Sequence, residues 1–441
     1  MKVTIIGTGY VGLVSGVCLS SKGHKVTCVD IKEDIVNNLN KGKIHIYEKG
    51  LQSLLTQSLN KKLFSATTNI TQSLDNSDLV ILAVGTPSNN GEIDLSQIKS
   101  ASKEIGEYIK TSKKFISVVV KSTVVPPTTS TFIKNILETT SGKKLGEFGL
   151  GMNPEFLREG EAVEDFMYPD RIVIGYEDEI TKNLLTELYS PWDCSKIYTN
   201  TRTAEMIKYV NNTMLASIIS INNELANLSF KVGEIDYMDV IEGVIQDKRW
   251  TSIFKNTSIT PQIKTYFTPG AGFGGSCFPK DVQAIRTQGN KLGLNMPITN
   301  AVLNLNSTQP DQVIEILGDI TNKNILLLGL SFKPDTDDIR ESSALKILPL
   351  LLDNGAYVTA HDPVAIPYAK KEISHDNLQY THTWKEKVKN ADIVVVGTNW
   401  EEYLDLKELV TSQIIFDSKR LFLVSDFSNV NYLTFGYSKK K

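Results

Sequence analysis

Lys2-Val-Thr-Ile-Ile-Gly7-Thr-Gly9-Tyr10-Val11-Gly12 decides how this chain begins to fold. Its first five residues are short, apolar and β-branched, the pattern of a strand buried in a parallel sheet. Gly7, Gly9 and Gly12 follow at G-x-G-x-x-G spacing and lead into a segment of helical character. The next apolar run, Val26-Thr-Cys-Val-Asp30, ends in an aspartate 18 residues beyond Gly12. Strand, glycine turn, helix and strand-ending acid are the parts of a dinucleotide site. The glycines and the helix N-terminus admit a pyrophosphate, and the carboxylate accepts from ribose hydroxyls. Asp30 would repel a 2′-phosphate and so favours NAD over NADP, a preference that Lys32 softens. The candidate cofactor residues here are Gly7, Gly9, Tyr10, Val11, Gly12, Asp30 and Lys32. A glycine-rich turn without a ligand is the competing reading.

The pattern continues outward. Asp78-Leu-Val-Ile-Leu-Ala-Val84 and Phe115-Ile-Ser-Val-Val-Val120 read as further buried strands, with helical segments between. Alternation of this kind predicts a doubly wound α/β sheet. A weak repeat predicts a second one. Gly355-Ala-Tyr-Val-Thr-Ala-His-Asp362 shares G-x-x-V-T-x-x-D with Gly23-His-Lys-Val-Thr-Cys-Val-Asp30, and each follows an apolar strand that ends in glycine. The second copy lacks the later glycines, so it predicts the sheet without the pyrophosphate turn. Between the copies, Thr203 to Lys231 has no Pro or Gly and carries Met206, Val210, Met214, Ile218, Ile221 and Leu225 near helical spacing. Such a helix spans about 40 Å at 1.5 Å per residue, enough to join two domains and form a dimer face. The expected architecture is two Rossmann-like domains, 1–200 and 311–441, flanking a central helical dimerisation region, 201–310. The polar stretch 245–267 reads as a loop or insertion, and residues 438–441 as a solvated tail.

At 441 residues the chain can build two or three cores. A net charge of −3 suggests neither nucleic acid nor a membrane surface as partner. The four cysteines form no CxxC pair and no metal-type spacing with the five histidines. That pattern suits a reducing, cytoplasmic setting without disulfides or a metal. No apolar run approaches the roughly 18 residues that a membrane span needs, and the glycine-interrupted N-terminus does not read as a signal peptide.

The chemistry concentrates in Gly270-Ala-Gly-Phe-Gly-Gly-Ser-Cys277-Phe-Pro-Lys280-Asp281. A cysteine is most often a small core residue. Here the flanking glycines would let a substrate approach the sulfur, and Lys280 would favour the thiolate. A thiol nucleophile beside a hydride acceptor points to oxidation through a thiohemiacetal. Asn153-Pro-Glu155-Phe-Leu-Arg158-Glu159-Gly160 offers a carboxylate at a sheet edge, either a base or part of a charged turn. Ser122-Thr123 sits at the carboxyl end of a strand, where ligands bind, and also reads as a helix cap. Glu205, Lys208 and Asn212 share one helix face, pointing into a cleft or forming a solvated stripe. Ser331-Phe332-Lys333 to Arg340 and Asp417-Ser-Lys419-Arg420 place cations near strand ends, as phosphate ligands or as surface charge.

Taken together, from Gly7 to Arg420, these residues resemble the UDP-glucose/GDP-mannose dehydrogenases. The resemblance implies an NAD domain, a dimerising middle and a C-terminal domain that completes a nucleotide-sugar site. It implies four-electron oxidation of a sugar C6 alcohol with two NAD+, and Cys277 as the nucleophile. Lys208 then stabilises charge on oxygen, while Asp281, Glu155 and Thr123 handle waters and the C6 hydroxyl, with Asn212 beside them. Thr86, Ser122, Thr123, Glu159, Lys280 and Arg340 match positions near NAD. Glu155, Phe156, Leu157, Lys208, Asn212, Gly272, Phe273, Gly274, Phe332, Lys333 and Arg420 match positions that hold the sugar nucleotide, and Arg249 resembles an arginine donated across a dimer. Two departures stand out. Ile35 replaces an arginine common near the adenosine, so Lys32 substitutes for it or the cofactor is held more weakly. The stretch between Arg249 and Gly270 is also longer than in many relatives. Gly-Ser-Cys277-Phe-Pro-Lys280-Asp281 and the segment from Ala162 to Gly175 resemble the UDP-glucose branch, with GDP-mannose as the alternative substrate.

Overall fold

The computed structural model describes residues 1–89, 91–254, 257–259, 261–427 and 430–437, the side chains of 252–254 and 257–258 excepted. The tail read as solvated, 438–441, lies outside the described residues. Two compact units make up the chain, Met1–Asn211 and Asn212–Lys441.

The first unit is built on an eight-stranded sheet. Its strands are β1 (Lys2–Ile6), β2 (Lys25–Val29), β3 (Phe64–Thr67), β4 (Leu79–Leu82), β5 (Ser117–Val120), β6 (Gly149–Met152), β7 (Arg171–Tyr176) and β8 (Ser195–Thr199). They run in the order β8-β7-β6-β5-β4-β1-β2-β3. Every pairing is parallel except β6 with β7. β4 and β5 are buried along their whole length, because helices cover both faces of the sheet and no position faces water. A separate apolar core forms on each face, one around Leu13, Val17 and Cys28, the other around Ile105, Leu137 and Val118. The strand order reverses beside β1, which opens a crevice at the carboxyl ends of β1 and β4, where ligands of such sheets bind.

The second unit carries a six-stranded, wholly parallel sheet: β9 (Asn324–Leu328), β10 (Tyr357–His361), β11 (Leu378–Tyr380), β12 (Ile393–Val396), β13 (Ile414–Asp417) and β14 (Asn431–Thr434). Their order is β11-β10-β9-β12-β13-β14. This is the second doubly wound sheet that the repeat predicts.

The long helix runs Thr201–Val232, 32 residues, about 48 Å at 1.5 Å per residue. Of its apolar positions, Met206, Val210, Met214, Ile221 and Leu225 stay largely exposed. Ile218 instead packs on a small core with Tyr237 and Ile241. The stretch expected to be a loop is more ordered than that. It contains the end of helix Tyr237–Ile245, an antiparallel hairpin of Ser252–Phe254 with Thr257–Ile259, and a 3-10 helix Gln262–Phe267. Its strands are only three residues long and carry no extended alternation that a pattern reading would detect.

Candidate active site

The glycine turn fits its predicted use. Gly7 has φ +98°, and a Cβ there would meet the Ala83 carbonyl oxygen at 2.6 Å. A Cβ on Gly12 would lie 2.0 Å from the Gly7 carbonyl oxygen. Both glycines are therefore demanded by the protein's own packing. Gly9 differs: nothing lies within 4 Å of where its Cβ would be. It is also the N-cap of helix Tyr10–Ser21, and no side chain caps that helix. Open space over an uncapped helix N-terminus suits an anionic pyrophosphate, so the residues present fit NAD.

Asp30 faces this turn. It accepts from the Thr8 N–H at 3.1 Å, from the Thr8 hydroxyl and from the Lys32 N–H at 3.0 Å. Partial burial pushes its carboxyl up, but the Thr8 and Lys32 hydrogen bonds more than reverse that and hold it below the usual carboxylate range. Lys32 is exposed and is the N-cap of helix Glu33–Asn40, whereas Ile35, in that helix, is half-buried against the first core. Tyr10 contributes its hydroxyl to Glu48, and the Gly160 N–H donates to both, at 2.9 and 2.8 Å. Glu48 also accepts from the Ala162 N–H at 2.9 Å. Thus Tyr10 is tied to the segment that carries Glu159. Sequence reading missed Glu48, which no motif marks.

The carboxyl ends of β5 and β6 hold a cluster of buried charged side chains. Ser122 donates its hydroxyl to the Val84 carbonyl at 2.7 Å, fastening the ends of β4 and β5 just before half-buried Thr86 and Thr123. Glu155 follows β6 and accepts from the Lys208 ammonium at 2.8 Å and from the Leu157 N–H at 2.6 Å. Both charged side chains are almost fully buried, 3% and 5% exposed. Burial pushes the Glu155 carboxyl up. The Lys208 charge and hydrogen bond, the Leu157 N–H and the Lys121 charge outweigh it and hold the group below its usual value. Phe156 lies under two cations, Lys208 at 5.5 Å and Arg171 at 4.0 Å from its ring centre. A carboxylate held ionised against an ammonium in a dry site can orient a hydroxyl or water and stabilise negative charge on oxygen.

Two neighbours of this cluster escaped the sequence reading, and a third sits differently from its expected place. Lys121, directly after β5, is buried and donates to Asn153 Oδ1 at 2.9 Å. The Tyr189 hydroxyl donates to the same oxygen at 2.6 Å. Glu205, placed in sequence on the Lys208 stripe, points inward and accepts from the Thr129 N–H at 2.7 Å. Burial raises its carboxyl to about 7.

In the second unit Cys277 is the N-cap of helix Phe278–Lys291, with Ser276 Oγ 3.5 Å from its sulfur. A helix N-terminus presents N–H groups to an anion, a feature of reactive thiols. Asp281, fully buried in the first turn, accepts from the Asn212 amide and the Lys280 ammonium, each at 2.7 Å. Lys280 is thus bonded to Asp281, and the helix terminus is an additional source of positive potential at the sulfur.

The glycines before Cys277 have a packing reason beside the expected one. A Cβ on Gly274 would meet the Glu341 carbonyl oxygen at 2.2 Å, and one on Gly275 the Phe332 ring at 2.8 Å. Gly272 sits against Asn306, whose amide exchanges hydrogen bonds with the Phe273 backbone at 2.7 and 3.0 Å. They let the loop lie flat on its own protein. That packing brings Gly272, Phe273, Gly274, Cys277 and Phe332 together, with the Arg340 carbonyl bonded to the Gly275 N–H at 3.0 Å. Lys333 stands over the Phe332 ring at 5.9 Å. The Arg340 guanidinium pairs with Asp338 at 2.7 Å, and Arg249, exposed, pairs with Asp247. Arg420 is bonded to Asp236 at 2.8 Å and to the Phe435 carbonyl.

The second sheet's counterpart of Asp30 is Asp362, and it is spent. It accepts from the Leu330 and Ser331 N–H groups, Ser331 Oγ, Trp400 Nε1, and the Val364 and Ala365 N–H groups, all within 3.2 Å. It is 1% exposed. No ribose could reach it, in keeping with a sheet that lacks the pyrophosphate turn. Among the described residues no helix is long and apolar enough to cross a membrane.

Residues 1–193 match the NAD binding domain of the UDP-glucose/GDP-mannose dehydrogenase family, 202–308 its central domain and 326–423 its UDP binding domain. A UDP-glucose 6-dehydrogenase of Rickettsia conorii is 38% identical over 438 residues, covering 98% of this chain and 95% of its own. One from Bacillus subtilis is 36% identical over 442 residues, covering 98% and 92%. The structure of a UDP-glucose dehydrogenase from Pyrobaculum islandicum superposes with a TM-score of 0.89 at 35% identity, over 99% of this chain and 98% of that one.

Proposed function

The chain belongs to the UDP-glucose/GDP-mannose dehydrogenase family, and from that premise we propose that it oxidises the C6 alcohol of UDP-glucose to the carboxylate of UDP-glucuronate through a covalent bond to Cys277. The observation that carries the chemistry is Cys277 at a helix N-cap, one turn before the buried Asp281. The substrate reading draws on the named relatives.

NAD, when bound, supplies the hydride acceptor for both oxidations. The turn from Gly7 to Gly12 and Asp30 hold it. The C6 alcohol gives up a hydride and a proton and becomes an aldehyde. Cys277 Sγ adds to the aldehyde carbon, forming a thiohemiacetal whose oxygen takes a proton. Loss of a second hydride and that proton leaves a thioester. Water then attacks the thioester carbon, releasing the carboxylate and the thiol. Lys208 stabilises negative charge on the C6 oxygen as it develops. Glu155, Asp281 and Thr123 hold the C6 hydroxyl and the hydrolytic water and share the proton transfers, with Asn212 orienting Asp281. Phe332, Lys333, Arg420 and the loop from Gly272 to Gly274 bind the sugar nucleotide.

The exposed stripe of Met206, Val210, Met214, Ile221 and Leu225 supports a homodimer formed through the long helix, since a continuous apolar patch on such an element calls for a cover. Sedimentation should give a dimer that Met214→Glu dissociates. For the reaction, limiting UDP-glucose should yield two NADH per sugar, with little from GDP-mannose run in parallel. One NADH per sugar would replace the thioester route by a single oxidation, and two from GDP-mannose alone would move the substrate to the other branch.

A further inference from the structure

The buried ammonium of Lys121 is unaccounted for by the roles above, although it lies within the field of Glu155 and Lys208. We propose that Lys121 is a positioning residue for this site, fixing the turn that presents Glu155 and keeping the Glu155 carboxylate ionised beside Lys208. The inference rests on the reading of Glu155 as part of the catalytic site.

Lys121 sits directly after β5, where its backbone N–H is bonded to the Leu82 carbonyl at 2.8 Å. Its side chain is 3% exposed. A lysine so placed on a sheet that ends in water would normally extend outward with its charge solvated. Here it runs inward to Asn153 Oδ1, at 2.9 Å, and lies 5.7 Å from the Phe166 ring. Asn153 is held completely. Its Oδ1 takes Lys121 and Tyr189, its Nδ2 donates to the Val173 carbonyl at 2.8 Å, and its N–H donates to the Val120 carbonyl at 2.8 Å. Asn153 is followed by Pro154, whose φ is fixed, and then by Glu155. An immobile Asn153 side chain therefore sets where the Glu155 carboxylate starts.

The second effect is charge. Burying an ammonium is costly unless something in the site needs it. Desolvation and the Lys208 charge both pull the Lys121 ammonium down, and only the Glu155 carboxylate raises it, leaving it at about 8. The coupling works in both directions, so Lys121 in turn lowers Glu155. The groups facing Glu155 are Lys208 from the long helix, Lys121 from the end of β5 and, through the Phe156 ring, Arg171 from β7. Tyr189, from the end of helix Glu179–Leu188, meets it only through Asn153, and burial raises its phenol. Loss of Lys121 leaves Lys208 bonded to Glu155 and removes the second positive charge in its field.

Lys121→Gln separates the two effects, because the amide can still donate to Asn153 Oδ1 while the charge is gone. Lys121→Met removes both. With UDP-glucose and NAD+, the pH dependence of kcat is measured from 5 to 9 for each, with folding checked by melting. Losing this opposite charge should raise the Glu155 carboxyl. The acid limb should then enter the measured window in Lys121→Gln, with kcat relative to wild type falling up to about 10-fold per pH unit below it. The KM for NAD should be unchanged. A Lys121→Gln profile that superposes on wild type overturns the proposal, even if Lys121→Met is inactive or fails to fold. So does a change confined to the KM for NAD. Absence of NADH formation by wild type with every nucleotide sugar would sink the functional reading instead.

Discussion

The buried Lys208–Glu155 pair allows a quantitative test that does not require turnover. Lys208→Met removes the cation in near-constant volume and leaves a carboxylate 6% exposed. Breaking a buried pair from one side costs about 3–5 kcal/mol, most of it the penalty of the stranded charge. Glu155 would keep the Leu157 N–H and the Lys121 charge, so the loss should fall near the lower end, about 3 kcal/mol. For a unit of this size about 2–4 °C accompany each kcal/mol, so the first transition in a calorimetric melt should fall by about 6–12 °C. Glu155→Gln alone should be milder. The double variant should recover much of the loss, with a coupling energy of about 2 kcal/mol, because neither charge is then stranded. Turnover should fall in all three by about 10²-fold or more. A Lys208→Met variant destabilised by less than about 1 kcal/mol, or a double variant whose losses simply add, would refute the pair as a desolvated unit.

Further expectations concern cofactor, pH and loop. Asp30→Ala should raise the KM for NAD about 10-fold or more while leaving that for the sugar nucleotide nearly unchanged; equal KM values for NAD would remove Asp30 from the cofactor site. Glu205 is raised to about 7 in the fold, so its contribution is full below the unfolded carboxyl value near 4.5 and is lost as pH rises through about 7. Glu205→Gln, still able to accept from Thr129, should flatten the fall in stability across that window, read from urea midpoints at pH 5 and 8. Gly274→Ala would press a methyl group onto the Glu341 carbonyl, displacing the loop that carries Cys277. It should lose most turnover, while NAD still quenches fluorescence as in wild type.

Much of the sheet architecture was legible because buried parallel strands are read from local composition. The strand expected from Asp78 to Val84 forms at Leu79–Leu82, and the repeat announced the second sheet. The hairpin in 252–259 was not legible, since strands this short carry no period. In the site, residues inside motifs were findable and residues that support them were not. Lys121 looks in sequence like any lysine after a strand. Its burial depends on Asn153, Val173 and Tyr189, which arrive from β6, β7 and a later helix. Glu48 is likewise defined by partners more than 100 positions away. The packing reason for the glycines near Cys277 was not legible, because a sequence shows that a side chain is missing and not what occupies its place. The bond from the Lys280 ammonium to the adjacent Asp281 was likewise not legible in the sequence.

The most direct test is to quench the enzyme with acid during turnover of UDP-glucose and NAD+, then map its peptides by mass. The peptide containing Cys277 should carry the mass of a UDP-glucuronyl thioester, and Cys277→Ser should show neither that adduct nor normal NADH release. NADH released at two per sugar from an enzyme whose Cys277 never bears the adduct, or full activity in Cys277→Ser, would contradict covalent catalysis at this residue.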